Sequence, residues 1–217
     1  MRIGIDIDDT AFITVNAMLK YADKYNRDVL GKNEIKNTFG LIKNRYYLKA
    51  IYGWNDEEKF GFFNMFYKNV LEECKPMPDV AEVCKTLKSE GNDIYFITAR
   101  LNNIENCNTE EITKNSLEKN GILYDKLLIN ASNKLEAAKE NNIDLFIEDS
   151  FETCSELKNS GIKSILMTTK MNNQIDAGSI PRVNNWKEVY NTIKNIENKV
   201  WDRNNLIIFN INLIFLI

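Results

Sequence analysis

Short apolar runs alternate with amphipathic stretches along most of the chain, and this alternation constrains the fold more than any other feature. Each run is a few residues long and typical of a buried strand, and the five cover 2–7, 93–98, 126–130, 144–148 and 163–168. Helical patterns fill the intervals, several end at a glycine that suits a left-handed C-cap, and they cover about 79–90, 109–120, 133–142 and 151–160. This order predicts an α/β protein with a doubly wound, mainly parallel sheet.

The segment 13–76 interrupts the alternation. It is too long for a simple crossover, has the pattern of several helices and holds about half of the aromatic residues. We interpret it as a small helical cap inserted after the first strand, with Pro76 and Pro78 marking the return to the core. The predicted division is a core over 1–12 and 77–200, the cap, and an apolar tail over 201–217 to which the sequence assigns no role.

Composition excludes several classes of function. The chain of 217 residues has no histidine, which excludes a Ser-His-Asp triad, a histidine general base and histidine-bound zinc. The net charge of −3 and the scattered lysines give no sign of a nucleic-acid-binding surface. The four cysteines lack the spacing of metal or redox motifs, so we expect free thiols in a reducing cytosol.

The two ends of the sequence bear on its location. The first residues, MRIGIDIDD, lack the apolar stretch of a signal peptide, which favours a cytoplasmic protein. The apolar run 206–217 is shorter than the roughly 20 residues that a membrane-spanning helix needs, so we expect no membrane partner. The run could form an edge strand or a docking segment, and the sequence does not decide between these interpretations.

Polar residues follow four of the predicted strands at their carboxyl ends, where doubly wound folds bind ligands. In chain order these residues are Asp6, Asp8, Asp9 and Thr10, then Thr98 and Arg100, then Asn130 to Lys134, then Glu148, Asp149 and Ser150. Each group has a structural alternative, namely a turn, a helix N-cap, a solvated lysine or a polar cap. Their shared position at one predicted edge of one sheet favours a functional site.

The residue types at this edge indicate a metal site beside an anion site. The carboxylates of DIDDT repel one another, and a hard cation would relieve that repulsion. The ligands on offer are oxygen atoms, which favours Mg²⁺. Thr98 can hold a phosphate oxygen with its hydroxyl, and Lys134 follows the helix-capping residue Asn133, where a cation opposes the helix dipole unless an anion lies beside it.

DIDDT, ITAR, Lys134 and IEDS together resemble the four signature motifs of the haloacid dehalogenase superfamily of phosphohydrolases. The match covers roughly 1–12 and 78–190. The ITAR motif, the spacing of Lys134 from IEDS and the later segment NNWKEV resemble the bacterial nucleotidases that are grouped with the 5′(3′)-deoxyribonucleotidases.

The resemblance implies a role for each matching residue. Asp6 would attack phosphorus and form an aspartyl-phosphate, and Asp8 would act as acid and then as base. The residues implied to bind phosphate are Thr98, Ala99 and Lys134. The implied Mg²⁺ ligands are Asp6, the Asp8 carbonyl, Asp149 and Glu148 through water. Lys126 and Lys139 stay open as alternatives to Lys134.

The expected partner is a small phosphorylated metabolite, with a nucleoside monophosphate and a sugar phosphate as the two main classes. Cap aromatics could stack a base, although packing within the cap is the better reading for most of them. Lys43 and Arg45 could contact a second anionic group. The competing hypotheses are a receiver-like domain that accepts phosphate on aspartate and a catalytically silent binding protein. The sequence does not give an oligomeric state.

Overall fold

Two sheets appear in the computed structural model of the protein, which describes residues 1–35 and 47–198. The strands are β1 (Arg2–Ile5), β2 (Phe12–Ile13), β3 (Lys75–Pro76), β4 (Asp93–Ile97), β5 (Lys126–Leu128), β6 (Leu145–Glu148), β7 (Lys163–Met167) and β8 (Arg182–Val183). Six of them form one parallel sheet in the order β5-β4-β1-β6-β7-β8, so the predicted α/β class with a parallel sheet is confirmed. The strand β8 was not predicted, because two residues carry no periodic signal.

The helices alternate with the strands of the main sheet, as predicted. They are α1 (Val15–Lys24), α2 (Tyr47–Tyr52), α3 (Asp56–Glu73), α4 (Val80–Ser89), α5 (Thr109–Lys119), α6 (Lys134–Glu140), α7 (Phe151–Asn159) and α8 (186–198). A π-helical turn, Tyr25–Val29, continues α1. Gly91 and Gly161, which follow α4 and α7, have φ angles of 83° and 87°, and glycine adopts such angles without a Cβ clash.

Side chains of the central strands alternate between two packed faces. Ile3 and Ile5 of β1 join the larger apolar cluster, whereas Phe146 of β6 lies in a second cluster with residues of α6 and α7. Gly4 pairs directly with Phe146, and a Cβ at Gly4 would lie 2.6 Å from its ring. A glycine is therefore required at this point of β1 for the neighbouring strand to pack its phenylalanine.

The described residues between β2 and β3 form helices, and the two strands pair antiparallel at the base of this segment. Its aromatic side chains pack mainly on one another: Trp54 is buried and contacts the rings of Tyr25 and Tyr52. The prediction that most cap aromatics pack internally is confirmed for these residues. Phe60 differs, because it is 53% exposed.

Several predictions lie outside the described residues. They concern the side chains Phe39, Lys43, Arg45 and Tyr46, the end of the proposed core at 199–200, and the tail 201–217. The proposed bounds of core, cap and tail stay predictions. Within 1–35 and 47–198, the helices are all too short or too polar to cross a membrane.

Candidate active site

The loop after β1 places three carboxylates at the centre of the sheet's carboxyl edge. The backbone amide of Asp6 still donates to Ile147 of β6, so this residue is held as an extension of the strand. Asp9 adopts a left-handed φ of 56° and accepts hydrogen bonds from the amides of Thr14 and Val15 at the start of α1. The carboxylate of Asp9 therefore serves this turn, while Asp6 and Asp8 lie in the cavity beside it.

Lys134 links the ends of β1 and β6. Its Nζ lies 2.6 Å from Oδ1 of Asp6 and 2.5 Å from Oε2 of Glu148. Its side chain is only 11% exposed, and those of its two partners are 5% and 1% exposed. The other two lysines that the sequence offered are exposed, and Lys126 bonds to Asn141 instead. The geometry therefore favours Lys134 over Lys126 and Lys139 as the lysine of this site.

Three carboxylates crowd together next to this lysine. Asp6, Glu148 and Asp149 each offer an oxygen within 4.8 Å of the others. Burial, and then the charges of neighbouring carboxylates, raise the pKa of Asp6 to about 8, although Lys134 acts in the opposite direction. The same two causes raise the pKa of Asp149 well above its usual value. One lysine is not enough to balance the three negative charges.

This cluster fits a hard divalent cation. Its donors are carboxylate oxygens, which Mg²⁺ prefers, and the raised pKa values of Asp6 and Asp149 indicate that ionising both of these groups calls for more positive charge. Glu148 also accepts a hydrogen bond from the amide of Ser150. The carboxylate of Asp8 is paired with Arg100, so the backbone carbonyl is the group that Asp8 could offer to a cation.

The carboxylate of Asp8 is bound by Arg100. The Nε of Arg100 lies 3.1 Å from both oxygens of Asp8, Nη2 lies 2.8 Å from Oδ1, and the hydroxyl of Thr14 donates to Oδ1 at 2.6 Å. Nη1 of this buried arginine donates to Thr113 of α5. Although burial alone would raise the pKa of Asp8, the charge and hydrogen bonds of Arg100, together with the bond from Thr14, hold it below its usual range.

Thr98 and Ala99 form the wall opposite the carboxylates. Thr98 is completely buried at the end of β4, and its Oγ1 accepts a hydrogen bond from the amide of Arg100. Its hydroxyl hydrogen can therefore be donated to an acceptor in the cavity.

Two cavities meet at Asp8. The first, of about 250 Å³, is lined by every site residue that the sequence indicated: Asp6, Asp8, Thr98, Ala99, Lys134, Glu148 and Asp149. The second, of about 500 Å³, lies between the helical segment and the loop after β4, and its lining includes Leu48, Phe60, Phe63, Tyr67 and Ile104. Four residues line both cavities: Asp8, Thr14, Met18 and Ala99. The site thus has a charged compartment and a mainly apolar one.

Sequence reasoning missed several residues that shape the site. Arg100 was noted at a strand end, but its pairing with Asp8 spans 92 positions and leaves no local signal. Asn172, which lines the charged cavity, follows the fifth predicted strand, and that position was the one available clue. Trp186 of the NNWKEV segment is buried and donates to the carbonyl of Thr10, so it anchors the loop that carries the carboxylates.

Comparison with known proteins places the chain in a family. A family model described as 5′ nucleotidase, deoxy (Pyrimidine), cytosolic type C protein matches residues 1–200. The chain belongs to this family. A nucleotidase of Clostridium acetobutylicum is 33% identical over 156 residues, which are 71% of this chain and 78% of that protein. YqfW of Bacillus subtilis is 28% identical over 197 residues, which are 90% of this chain and 94% of YqfW.

Solved structures agree with the fold. A predicted phosphatase of Clostridium acetobutylicum superposes with a TM-score of 0.66 at 16% identity, covering 89% of this chain and 98% of that one. A predicted phosphoglycolate phosphatase of Haemophilus somnus gives 0.65 at 17% identity, covering 88% and 97%. The resemblance drawn from the four motifs is therefore confirmed for the family and the fold: the chain is a phosphomonoester hydrolase of this nucleotidase family, and its fold is shared with hydrolases of the haloacid dehalogenase superfamily.

Proposed function

We propose that the protein is a Mg²⁺-dependent 5′(3′)-(deoxy)ribonucleotidase of the cytoplasm that works through an aspartyl-phosphate on Asp6. The observation that carries the proposal is the position of Asp8 at the junction of two cavities. A phosphate ester has a charged end and an organic end, and the scissile bond lies between them. In this proposal the bridging oxygen of such a substrate lies beside Asp8.

The charged cavity supplies the groups that phosphoryl transfer needs. Asp6 would attack phosphorus with a carboxylate oxygen as the bond from phosphorus to the ester oxygen breaks. Lys134 and the hydroxyl of Thr98 would hold the phosphoryl oxygens and offset their charge. When bound by Asp6, Asp149, Glu148 and the Asp8 carbonyl, Mg²⁺ would supply further positive charge for the phosphoryl group.

Asp8 would move one proton in each half of the reaction. In the first half, protonated Asp8 would give its proton to the departing ester oxygen. In the second half, its carboxylate would take a proton from water as the water oxygen attacks phosphorus and the bond to Asp6 breaks. Arg100 favours the carboxylate that the second half uses, whereas the negative charge of a bound phosphate favours the protonated form that the first half uses.

The second cavity supports a nucleoside as the organic part of the substrate. Phe60 and Phe63 offer aromatic surface to a planar base, and the exposure of Phe60 leaves part of its ring available. Lys49, Lys59 and Asn103 at the same cavity can bond to polar atoms of a base or sugar. The family description, which names a pyrimidine deoxynucleotidase, agrees with this assignment.

A phosphate-release screen tests the proposal. Purified protein is assayed with Mg²⁺ or with EDTA against ribo- and deoxyribonucleoside 5′- and 3′-monophosphates and against sugar phosphates. We expect turnover of nucleotides that EDTA abolishes and added Mg²⁺ restores. Asp93→Asn is the matched control for Asp6→Asn, because Asp93 lies at the opposite edge of the sheet.

The outcomes separate the competing functions. Preference for sugar phosphates would retain the chemistry and overturn the nucleotide assignment. A stable phosphoprotein without turnover would favour a signalling role, and full turnover by Asp6→Asn would overturn the mechanism.

A further inference from the structure

A buried side-chain amide, that of Asn172, holds the main chain of Asp149. Nδ2 of Asn172 donates to the carbonyl of Asp149 and to the carbonyl of Met167, both at 2.7 Å. Asn172 is only 2% exposed, although it lies in the long loop between β7 and β8. It therefore ties the residue after β6 to the end of the neighbouring strand β7.

Arg182 fixes the orientation of this amide. Its Nη1 donates to Oδ1 of Asn172 at 2.9 Å, and the amide of Thr169 donates to the same oxygen at 3.1 Å. Its Nη2 donates to the backbone carbonyls of Asn172 and Ile175. The oxygen of the Asn172 side chain accepts from two donors and its nitrogen donates to two carbonyls, so a flipped amide would lose all four bonds.

Within residues 1–35 and 47–198, no hydrogen bond or ion pair holds the carboxylate of Asp149, so the network on its main chain is what fixes this residue. Asp149 belongs to the cluster with Asp6 and Glu148, whose mutual repulsion tends to push the three groups apart. Anchoring its main chain fixes the direction in which its side chain leaves the backbone. The repulsion then cannot be relieved by a shift of the loop, and the oxygens stay close enough to share one cation.

We infer that Asn172, oriented by Arg182, is a positioning residue that holds Asp149 where it can bind the cation. We also infer that Asn172 thereby sets the affinity of the site for a divalent ion. The inference rests on the proposed function, because it takes Asp149 to be a ligand. It concerns binding of the ion rather than the chemical step, because Asn172 bonds to the main chain of Asp149 and not to its carboxylate.

Cation affinity of the substrate-free protein is the direct test. Mn²⁺ binding is followed by electron paramagnetic resonance and Mg²⁺ binding by calorimetry, for wild type, Asn172→Ala, Arg182→Met, Arg182→Lys and the control Asn173→Ala. Asn173 is the exposed neighbour in the same loop. We expect Asn172→Ala to weaken binding roughly 10- to 100-fold, the range found for residues that support metal ligands.

The other variants set the scale of that effect. Arg182→Met keeps the Asn172 amide but removes the group that orients it, so the loss of cation affinity should be smaller than in Asn172→Ala. Arg182→Lys should recover part of the affinity that Arg182→Met loses. Asn173→Ala should bind as wild type does. The loss of kcat in Asn172→Ala should shrink as the Mg²⁺ concentration rises, whereas general damage to the fold would lower kcat by the same factor at every Mg²⁺ concentration.

Two results would overturn the inference. One is wild-type affinity in a folded Asn172→Ala protein, and the other is a loss of kcat at saturating Mg²⁺ with unchanged affinity. If Asn172→Ala does not fold, unchanged affinity in Arg182→Met is decisive in its place. Asp149→Asn separates this failure from that of the proposed function: if Asp149→Asn binds the ion as wild type does, the assignment of Asp149 as a ligand is wrong, and the inference falls with it.

Discussion

Asp6 and Asp8 are the same residue type two positions apart in one loop, yet their surroundings act on them in opposite directions. Asp6 shares one lysine with Glu148, lies close to Asp149, and has its pKa raised to about 8. Asp8 is paired with Arg100, which lowers the pKa of the Asp8 carboxyl. The difference arises from charge balance, because one side has three carboxylates for one cation and the other has one carboxylate for one cation.

This contrast separates two tasks within one site. The cluster of Asp6, Glu148 and Asp149 has too little positive charge near it. It therefore favours binding of a divalent ion, either alone or together with a substrate. The Asp8 side is balanced by Arg100 within the protein, so it needs no ion. The predictions below test whether the two sides behave this differently.

Asp6→Asn should have the largest effect, because in the proposed mechanism it removes the nucleophile and a ligand of the cation together. We expect kcat to fall on the order of 10⁴-fold or more, as removal of a catalytic nucleophile does in other enzymes. Steady-state phosphate release measures the loss, and acid-quenched samples should contain no phosphoprotein. A variant that still forms an acid-stable phosphoprotein would show that another residue accepts the phosphoryl group.

Asp8→Asn should cost less, and the cost should depend on the leaving group. We expect a loss of roughly 10²- to 10⁴-fold with nucleotides, the usual range for general acid–base catalysis. The loss of kcat/KM should be smaller with p-nitrophenyl phosphate, whose leaving group departs without a proton. Equal losses with both substrates would contradict the acid role of Asp8.

Arg100→Met tests the claim that Arg100 balances the charge of Asp8 without a bound ion. Removing one partner of a fully buried ion pair typically costs about 3 kcal/mol or more. The side chain of Asp8 is 34% exposed, so we expect the free energy of unfolding to fall by less than that amount. Urea denaturation should give the same loss in Mg²⁺ and in EDTA. Arg100→Lys is the control and should lose less. A loss seen only in Mg²⁺ would mean that the two sides are not independent.

The pH dependence of stability should be the smallest effect. A carboxyl with a raised pKa binds a proton in the folded state that the unfolded chain has already released, so its contribution to stability is lost as pH rises. For Asp6 this window runs from its ordinary value near 4 up to about 8. In EDTA the melting temperature should therefore fall between pH 6 and pH 8, and stabilisation by Mg²⁺ should grow.

Asp8 should not contribute to that change, because the stability from a lowered pKa is present above the ordinary value and is lost only in acid. Asp6→Asn should make the pH profile recorded in EDTA less steep, with the remaining slope due to Asp149, whose pKa is also raised, whereas Asp8→Asn should not. A profile that is flat in the wild-type protein would contradict the raised pKa of Asp6.

Local patterns were enough to predict the core of the fold. The apolar runs predicted β1, β4, β5, β6 and β7, and the parallel sheet brought their carboxyl ends to one edge. The cap of α6 by Asn133 was also predicted, and the side chain of Asn133 accepts a hydrogen bond from the Glu136 amide. These features depend on neighbours in the chain, so the sequence displays them directly.

Partners that are distant in sequence were not predictable in this way. Arg100 meets Asp8 across 92 positions, and Asn172 meets Asp149 across 23, in a loop without periodicity. Such contacts depend on strand order and loop path, which the pattern of one strand does not contain. The cavity beside Phe60 and Phe63 likewise depends on how α3 packs over the loop after β4.

A crystal structure of the protein grown with Mg²⁺ and beryllium trifluoride tests the central claim most directly, because this anion mimics a phosphoryl group on a carboxylate. We predict beryllium bonded to the Asp6 carboxylate, Lys134 and Thr98 on the fluorine atoms, and one Mg²⁺ bound by both Asp6 and Asp149. Beryllium bonded to another residue, or Asp6 and Asp149 lying apart with no ion between them, would contradict the account.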